Sequence, residues 1–237
     1  MANGTQTEFL VGTSGFSYPA WRGSFYPEKL PAAGMLGFYA GVFPTVEINN
    51  TFYRMPAPAL LASWTAQTPG HFRFALKAPQ QITHRLRLKE AAEPAREFVR
   101  RSEALEGKRG PLLFQLPPNL KADLSRLQAF LAALPPRTEP AFEFRHDSWF
   151  QDDTWALLRA HGAALCIAQT EELETPLVAT AAFGYVRLRR GDYEPGDLAN
   201  WAARLRAVDG WRRVYVFLKH DEGRAPALAR GFVEALA

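Results

Sequence analysis

Along residues 45–49 polar and apolar positions alternate. Thr45, Glu47 and Asn49 fall on one side of an extended chain, Val46 and Ile48 on the other. The same two-residue period returns at 72–77, where Phe72, Phe74 and Leu76 oppose Arg73, Ala75 and Lys77. At 142–145 Phe142 and Phe144 oppose Glu143 and Arg145, and at 185–189 Val186 and Leu188 oppose Tyr185, Arg187 and Arg189. Short apolar runs at 9–13, 111–116 and 164–168, and a last one at 214–219, bring the predicted strands to eight. In the gaps, apolar residues recur at three- and four-residue spacing, which predicts helices over 35–43, 57–67, 91–106, 122–134, 152–161, 197–208 and 225–236. Boundary residues agree: Asp123 and Ser125 stand near a helix entry, Asp152 and Asp153 precede Trp155, and Gly107, Gly162 and Gly210 follow helix ends. The interval 169–183 is too short for a full helix and carries Pro176, so the sixth unit is expected to be irregular.

Eight strands alternating with seven helices in 237 residues predict an α/β fold, a TIM-type (β/α)8 barrel forming a single domain over 1–237. The competing open, doubly wound sheet calls for G-x-G-x-x-G after the first strand, and GTSGFSY at 12–18 lacks it. Residues 17–34 and 78–90 then become long loops on the C-terminal face, where barrel enzymes place their chemistry.

Composition changes this picture little. Hydrophobic residues make up 47% and charged residues 22%, as in soluble globular proteins, and the net charge of +4 is scattered rather than gathered in a basic run. A single cysteine, Cys166, excludes an intramolecular disulfide and a cysteine-rich metal site. The opening MANGTQTEF has neither a signal core nor a membrane-spanning run, so the expected location is cytoplasmic, with no membrane partner.

Candidate chemistry follows from parity. If the aliphatic side of each strand packs on the helices, the other side points into the barrel. That rule sends inward Ser14, Glu47, Asn49, Lys77, Gln115, Glu143, Arg145, Arg187, Arg189 and Lys219, most of them near strand ends. Barrel interiors favour aliphatic layers, so so many charges require partners or a ligand. Two carboxylates face five cations, and an anion would balance them. Glu47 and Glu143 are candidate general acid or base, with Lys77 and His84 as further catalytic candidates. Ser14, Asn49, Tyr53, Arg54, Gln115, Arg145, His146, Arg187 and Lys219 are candidate substrate ligands. Glu47 and Lys77, on adjacent strands, are expected to touch. His220 and Asp221 would complete the ring after strand eight. Trp21, Phe25 and Tyr26 in the first loop either stack on a ligand ring or pack over the barrel.

No metal and no cofactor are expected. Glu47, Glu143 and a histidine match no compact ligand motif, and the surrounding cations oppose a divalent ion. A retaining glycosidase needs carboxyls about 5–5.5 Å apart. Glu47 and Glu143, three strands apart, are expected to be farther, which leaves the wider spacing of an inverting enzyme open. The leading expectation is an enzyme acting by acid–base chemistry on a small anionic, phosphorylated or carboxylated molecule. A second reading is nucleic-acid binding or processing, from the basic mouth and aromatic loop. A third is a non-catalytic ligand-binding barrel, and the alternative to any ligand site is a buried ion-pair network of Glu47, Lys77, Glu143 and Arg145 that only closes the barrel top.

GTSGFSYPAWRGSFYP at 12–27, VEINNTFYRMP at 46–56, FALKAPQQITH at 74–84, GPLLFQLPP at 110–118, EFRHDSW at 143–149 and YVRLRRGDY at 185–193 together resemble the YecE-like family, domain of unknown function 72. The resemblance implies a TIM-type barrel and marks Glu47, Asn49, Tyr53, Arg54, Lys77, Thr83, His84, Gln115, Glu143, Arg145, His146 and Trp149. It supplies no reaction. The chain departs from the family pattern at Phe16, at 189–191, at 218–221 and at Leu228.

Overall fold

The computed structural model describes residues 7–219 and 223–237, which leaves His220 and Asp221 outside the described residues. Eight parallel strands pair in sequence order and close, β8 returning to β1. They are β1 Glu8–Ser14, β2 Thr45–Ile48, β3 Arg73–Lys77, β4 Arg109–Gln115, β5 Pro140–Glu143, β6 Ala164–Gln169, β7 Phe183–Leu188 and β8 Arg213–Leu218. Among the described residues seven α-helices surround them: α1 Met35–Ala40, α2 Pro58–Ala66, α3 Ala92–Ser102, α4 Leu124–Ala133, α5 Asp152–Ala160, α6 Pro195–Arg206 and α7 Ala225–Ala235. This is the TIM-type (β/α)8 fold that the alternation predicts. No helix among the described residues is long and apolar enough to cross a membrane.

Two apolar layers follow from strand parity. Val46, Phe74, Phe114, Phe142, Val186 and Val216 face the helices and form the outer core. The inner layer is lopsided. Strands β7 and β8 contribute Phe183, Tyr185, Tyr215 and Phe217, while β3, β5 and β6 oppose them with Ala75, Ala141, Ala164 and Ala168. Large rings from one wall fill the space that alanines leave on the other, as close packing of a narrow barrel requires. Gly12 on β1 belongs to the same economy of space: a Cβ there would stand 2.0 Å from the Thr45 carbonyl oxygen.

Local signals set most boundaries. Asp123 caps α4 by accepting from the Arg126 N–H at 2.9 Å. Gly162 (φ 60°) and Gly210 (φ 91°) take the left-handed conformation after α5 and α6. The helix expected over 91–106 ends instead at Ser102 and tightens into a 3-10 stretch, Glu103–Lys108. Its reversal into β4 falls on Glu106 (φ 51°, ψ −134°), one residue before the glycine expected to do this.

The sixth unit has no helix. After β6 the chain doubles back, Gln169 bridging antiparallel to Glu174 and the Thr175 N–H donating to Ala168 O at 2.9 Å. Thr180 then fastens the segment, its hydroxyl accepting from the Leu165 N–H and donating to Ala163 O, both at 2.7 Å. The buried Gln169 carbonyl accepts from Tyr193 Oη and Trp201 Nε1, both at 2.8 Å, which ties the α6 side to the same strand end. The first loop packs rather than stacks. Trp21, Phe25 and Tyr26 are buried, Phe25 against Phe38 and Phe43, while Trp21 also lines a small cavity beside Ser14 and Tyr18.

Candidate functional site at the barrel mouth

The inward parity of the charged positions is realised. Glu47 on β2 and Glu143 on β5 are fully buried, and both bind one guanidinium, that of Arg187 on β7. Arg187 Nη2 donates to Glu47 Oε1 at 2.9 Å, and Nη1 donates to Glu143 Oε2. Three strands apart in the wall, the two carboxylates bind opposite prongs of one side chain across the narrow interior.

Each carboxylate is further saturated. Glu47 Oε1 also accepts from Ser14 Oγ at 2.7 Å and Asn49 Nδ2 at 2.9 Å, while Oε2 accepts from Tyr185 Oη at 2.7 Å. Glu143 Oε1 accepts from Gln115 Nε2 at 2.8 Å and Arg145 Nε at 3.0 Å. Burial alone would raise both carboxyls. For Glu47 the Arg187 charge and the bonds from Ser14, Tyr185 and Asn49 outweigh burial and hold it below its usual range. For Glu143, Arg187, Arg145 and Arg189 do the same and hold it well below that range. Both are fixed anions at neutral pH. Arg187 is thereby committed to the protein, not held out to a ligand as its basic character alone suggested. Its buried Nε has no partner among the described residues.

Lys77 departs from the expected pairing with Glu47. The β2–β3 register sets Glu47 beside Ala75, so Lys77 rises one layer higher. Its Nζ donates to Gln115 Oε1 at 2.8 Å and lies 4.1 Å from the Phe52 ring centre. Burial, then the neighbouring Arg187 charge, push this amine down to about 8. His84 packs edge-on against the same Phe52 ring at 4.9 Å, and its Nδ1 lies 2.9 Å from Thr83 Oγ1. Burial, followed by the Lys77 and Arg145 charges, lowers the imidazole below its ordinary value, which favours the neutral form at pH 7.

Above this layer the chain opens into a cavity of about 400 Å³, walled by Glu143, Arg145, Thr170, Glu171, Glu172 and Arg189. Arg145 spends one bond on Glu143. The half-buried Arg189 guanidinium makes no hydrogen bond or ion pair among the described residues, and burial and then Arg187 lower its pKa. Glu171 and Glu172 stand at the exposed rim, Glu171 accepting from the Gly191 N–H at 2.9 Å.

The remaining predicted ligands fall into two groups. Ser14 and Gln115 belong to the buried network, and so does Asn49, although β2 ends one residue before it. Lys219 lies just past β8 and lines a separate cavity of about 220 Å³ with Ser14, Tyr18 and Trp21. Tyr53 is 76% exposed, and the exposed Arg54 follows it on the rim. His146 is not in the network, because its Nδ1 caps the following turn by accepting from the Ser148 N–H at 3.2 Å. Trp149 is a packing residue, stacked on Phe144 at 4.6 Å with Nε1 donating to Leu120 O. Tyr185 is the network member that the candidate set omits. Its parity with Arg187 was legible, but a tyrosine between apolar residues resembles core filling until Glu47 is found against its hydroxyl.

A closed parallel barrel with an inward carboxylate–guanidinium–carboxylate bridge under a half-open mouth defines a TIM-type barrel protein with an ionised C-terminal face. The particular family follows from comparison. The profile described as "Protein of unknown function DUF72" matches residues 10–237, and the chain belongs to that family. The UPF0759 protein YecE of Escherichia coli is 34% identical over 141 residues, 59% of this chain and 49% of the relative, so the match spans about half the relative's length. A DUF72 family protein from Thermotoga maritima superposes with a TM-score of 0.79 at 28% identity, covering 97% of this chain and 99% of that one. A DUF72 family protein from Enterococcus faecalis shares the fold, with a TM-score of 0.80 at 19% identity over 96% and 95% of the two chains.

Proposed function

We propose that this chain is an enzyme that binds a small phosphorylated or carboxylated molecule at the barrel mouth and moves protons on it. The observation that carries this reading is Arg189, a half-buried guanidinium that opens on the cavity beside Arg145 with no counter-ion of its own. Shielding a cation from water without a partner is costly, and a bound anion removes that cost. Glu143 feels the Arg189 charge but bonds Arg187 and Arg145 instead, so no carboxylate forms an ion pair with Arg189 among the described residues. Proton transfer in this reading falls to Lys77, whose amine burial brings down to about 8, and to His84, whose imidazole burial and the Lys77 charge keep neutral at pH 7 and free to accept a proton. Glu47 and Glu143 act as the electrostatic frame that holds Arg187 and orients Gln115.

Thermal shift with inorganic phosphate, sulfate and small dicarboxylates tests the anion site. Saturation at one hundred times the dissociation constant stabilises by about 2.7 kcal/mol, which raises Tm by several degrees. Arg189→Ala should remove that response while leaving the unliganded Tm within about 2 °C, as expected of a side chain without protein partners. An unchanged response in Arg189→Ala and Arg145→Ala would refute the site.

A second reading is favoured by the rim. Exposed Tyr53 and Arg54 adjoin the loop that carries exposed Arg85, Arg87 and Lys89, none of them ion-paired among the described residues. Such a basic, aromatic rim suits a nucleic-acid strand whose terminal phosphate reaches the mouth. Fluorescence anisotropy with single-stranded oligonucleotides separates the readings: steeply salt-dependent binding that Arg85→Ala/Arg87→Ala weakens supports the second.

A further inference from the structure

Among the described residues Lys77, Lys108 and Lys219 are half-buried, and the first two are built differently. Lys108 is structural: its Nζ donates to Thr65 O at 2.6 Å, Thr68 O at 2.5 Å and Thr68 Oγ1 at 3.2 Å, three acceptors for three N–H groups. Lys77 has one acceptor, the neutral amide oxygen of Gln115, and no carboxylate within ion-pair distance among the described residues. The Phe52 ring excludes water from one side of its Nζ. The charged groups around it are the cations Arg187 and Arg145 and the anions Glu143 and Glu47, with Glu143 already bonded to both arginines and Glu47 to Arg187. An ammonium placed for stability would be met as Lys108 is met. A lysine with one of its three ammonium hydrogens bonded, at the C-terminal end of a barrel strand and joined through Gln115 to Glu143 on the cavity wall, is placed for chemistry.

We propose that Lys77 is a nucleophilic amine that condenses with the carbonyl carbon of a small anionic aldehyde or ketone to form a protonated imine. This deepens the anion-site reading above and rests on it, since the arginines would hold the substrate's phosphate or carboxylate. The neutral amine forms a C–N bond to the carbonyl carbon while one N–H proton passes to the carbonyl oxygen, giving a carbinolamine. A second proton, taken from solvent, lets that oxygen leave as water as the C=N bond forms. The iminium keeps one N–H and one positive charge. It can therefore retain the bond to Gln115 and the contact with the Phe52 face, so the surroundings that hold Lys77 also hold the product. Neutral His84, packed on the same ring, is placed to relay protons.

The test is reductive trapping on the whole chain. The protein is incubated with dihydroxyacetone phosphate or glyoxylate and sodium cyanoborohydride, and peptides are mapped by mass. The expected adduct is on Lys77, ahead of the exposed Lys29, Lys89 and Lys121. Its rate should rise between about pH 7 and pH 9, around the amine's value of about 8. The adduct should be absent in Lys77→Arg, which keeps the charge. Adducts spread over the exposed lysines, or none on Lys77, overturn the proposal, and so does a Lys77 rate that climbs only toward the ordinary lysine value of about 10.4. If Lys77→Arg does not fold, wild-type mapping alone decides. The phosphate thermal shift keeps the two claims apart: a retained shift without a Lys77 adduct sinks the imine alone. A selective Lys77 adduct without a phosphate shift sinks the anion site and leaves the nucleophile standing.

Discussion

Arg187→Met is the most informative perturbation of this barrel. The wild-type guanidinium is the only group that bonds both Glu47 and Glu143 among the described residues, and all three side chains are at most 2% exposed. Methionine keeps much of the volume but leaves two buried anions. Glu47 retains Ser14, Asn49 and Tyr185, and Glu143 retains Gln115 and Arg145, so neither loses every donor. Removing one partner of a buried pair costs about 3–5 kcal/mol. Two pairs break here, but the surviving hydrogen bonds keep the total near the upper end of that range, about 5 kcal/mol. For a chain of this length that lowers Tm by roughly 10–20 °C.

The pH dependence sharpens the test. In the wild type both carboxyls titrate below their unfolded value of about 4.3, so their stabilisation is fully present above that pH and fades only as pH falls below it. In Arg187→Met burial is no longer offset, the folded-state carboxyls rise, and protonation relieves the cost as pH falls. The wild-type-minus-mutant difference should therefore shrink between about pH 7 and pH 5. Urea unfolding followed by circular dichroism at both pH values, with m compared, measures it. A loss under about 1 kcal/mol, or a gap that widens on acidification, would refute the account of this bridge.

Three further outcomes follow from the same contacts. Because Lys77 bonds Gln115 and not Glu47, a double-mutant cycle between Lys77→Met and Glu47→Gln should give coupling below about 0.5 kcal/mol in urea unfolding, whereas Lys77→Met with Gln115→Leu should couple by about 1 kcal/mol. Thr180→Val strips the buried Leu165 N–H of its acceptor and should cost about 1–3 kcal/mol, read as a drop in Tm with faster hydrogen exchange at Leu165. Gln169→Leu leaves Tyr193 and Trp201 without their shared acceptor and should cost about 2–3 kcal/mol, with a shift in tryptophan fluorescence.

Strand parity is a local property, and for that reason the sequence alone determined the barrel and most of its inward residues. Val46 and Ile48 can bury themselves only by turning Glu47 the other way, whatever the rest of the chain does. The missing sixth helix was equally legible, because Pro176 and a short interval leave no room for one. Register is not local. Whether Lys77 meets Glu47 or Gln115 depends on how far β3 slides past β2 and β4, and the observed β2–β3 pairing of Glu47 with Ala75 decides it. Convergence is not local either. Glu47 and Glu143 are 96 positions apart in the chain and three strands apart in the wall, yet the closed ring aims both at Arg187. Tyr185 joined the buried network, and the His146 Nδ1 was taken up by the Ser148 N–H, for the same reason. A side chain's role is set by which polar atoms lie within about 3 Å of it, and only closure of the barrel brings those atoms together.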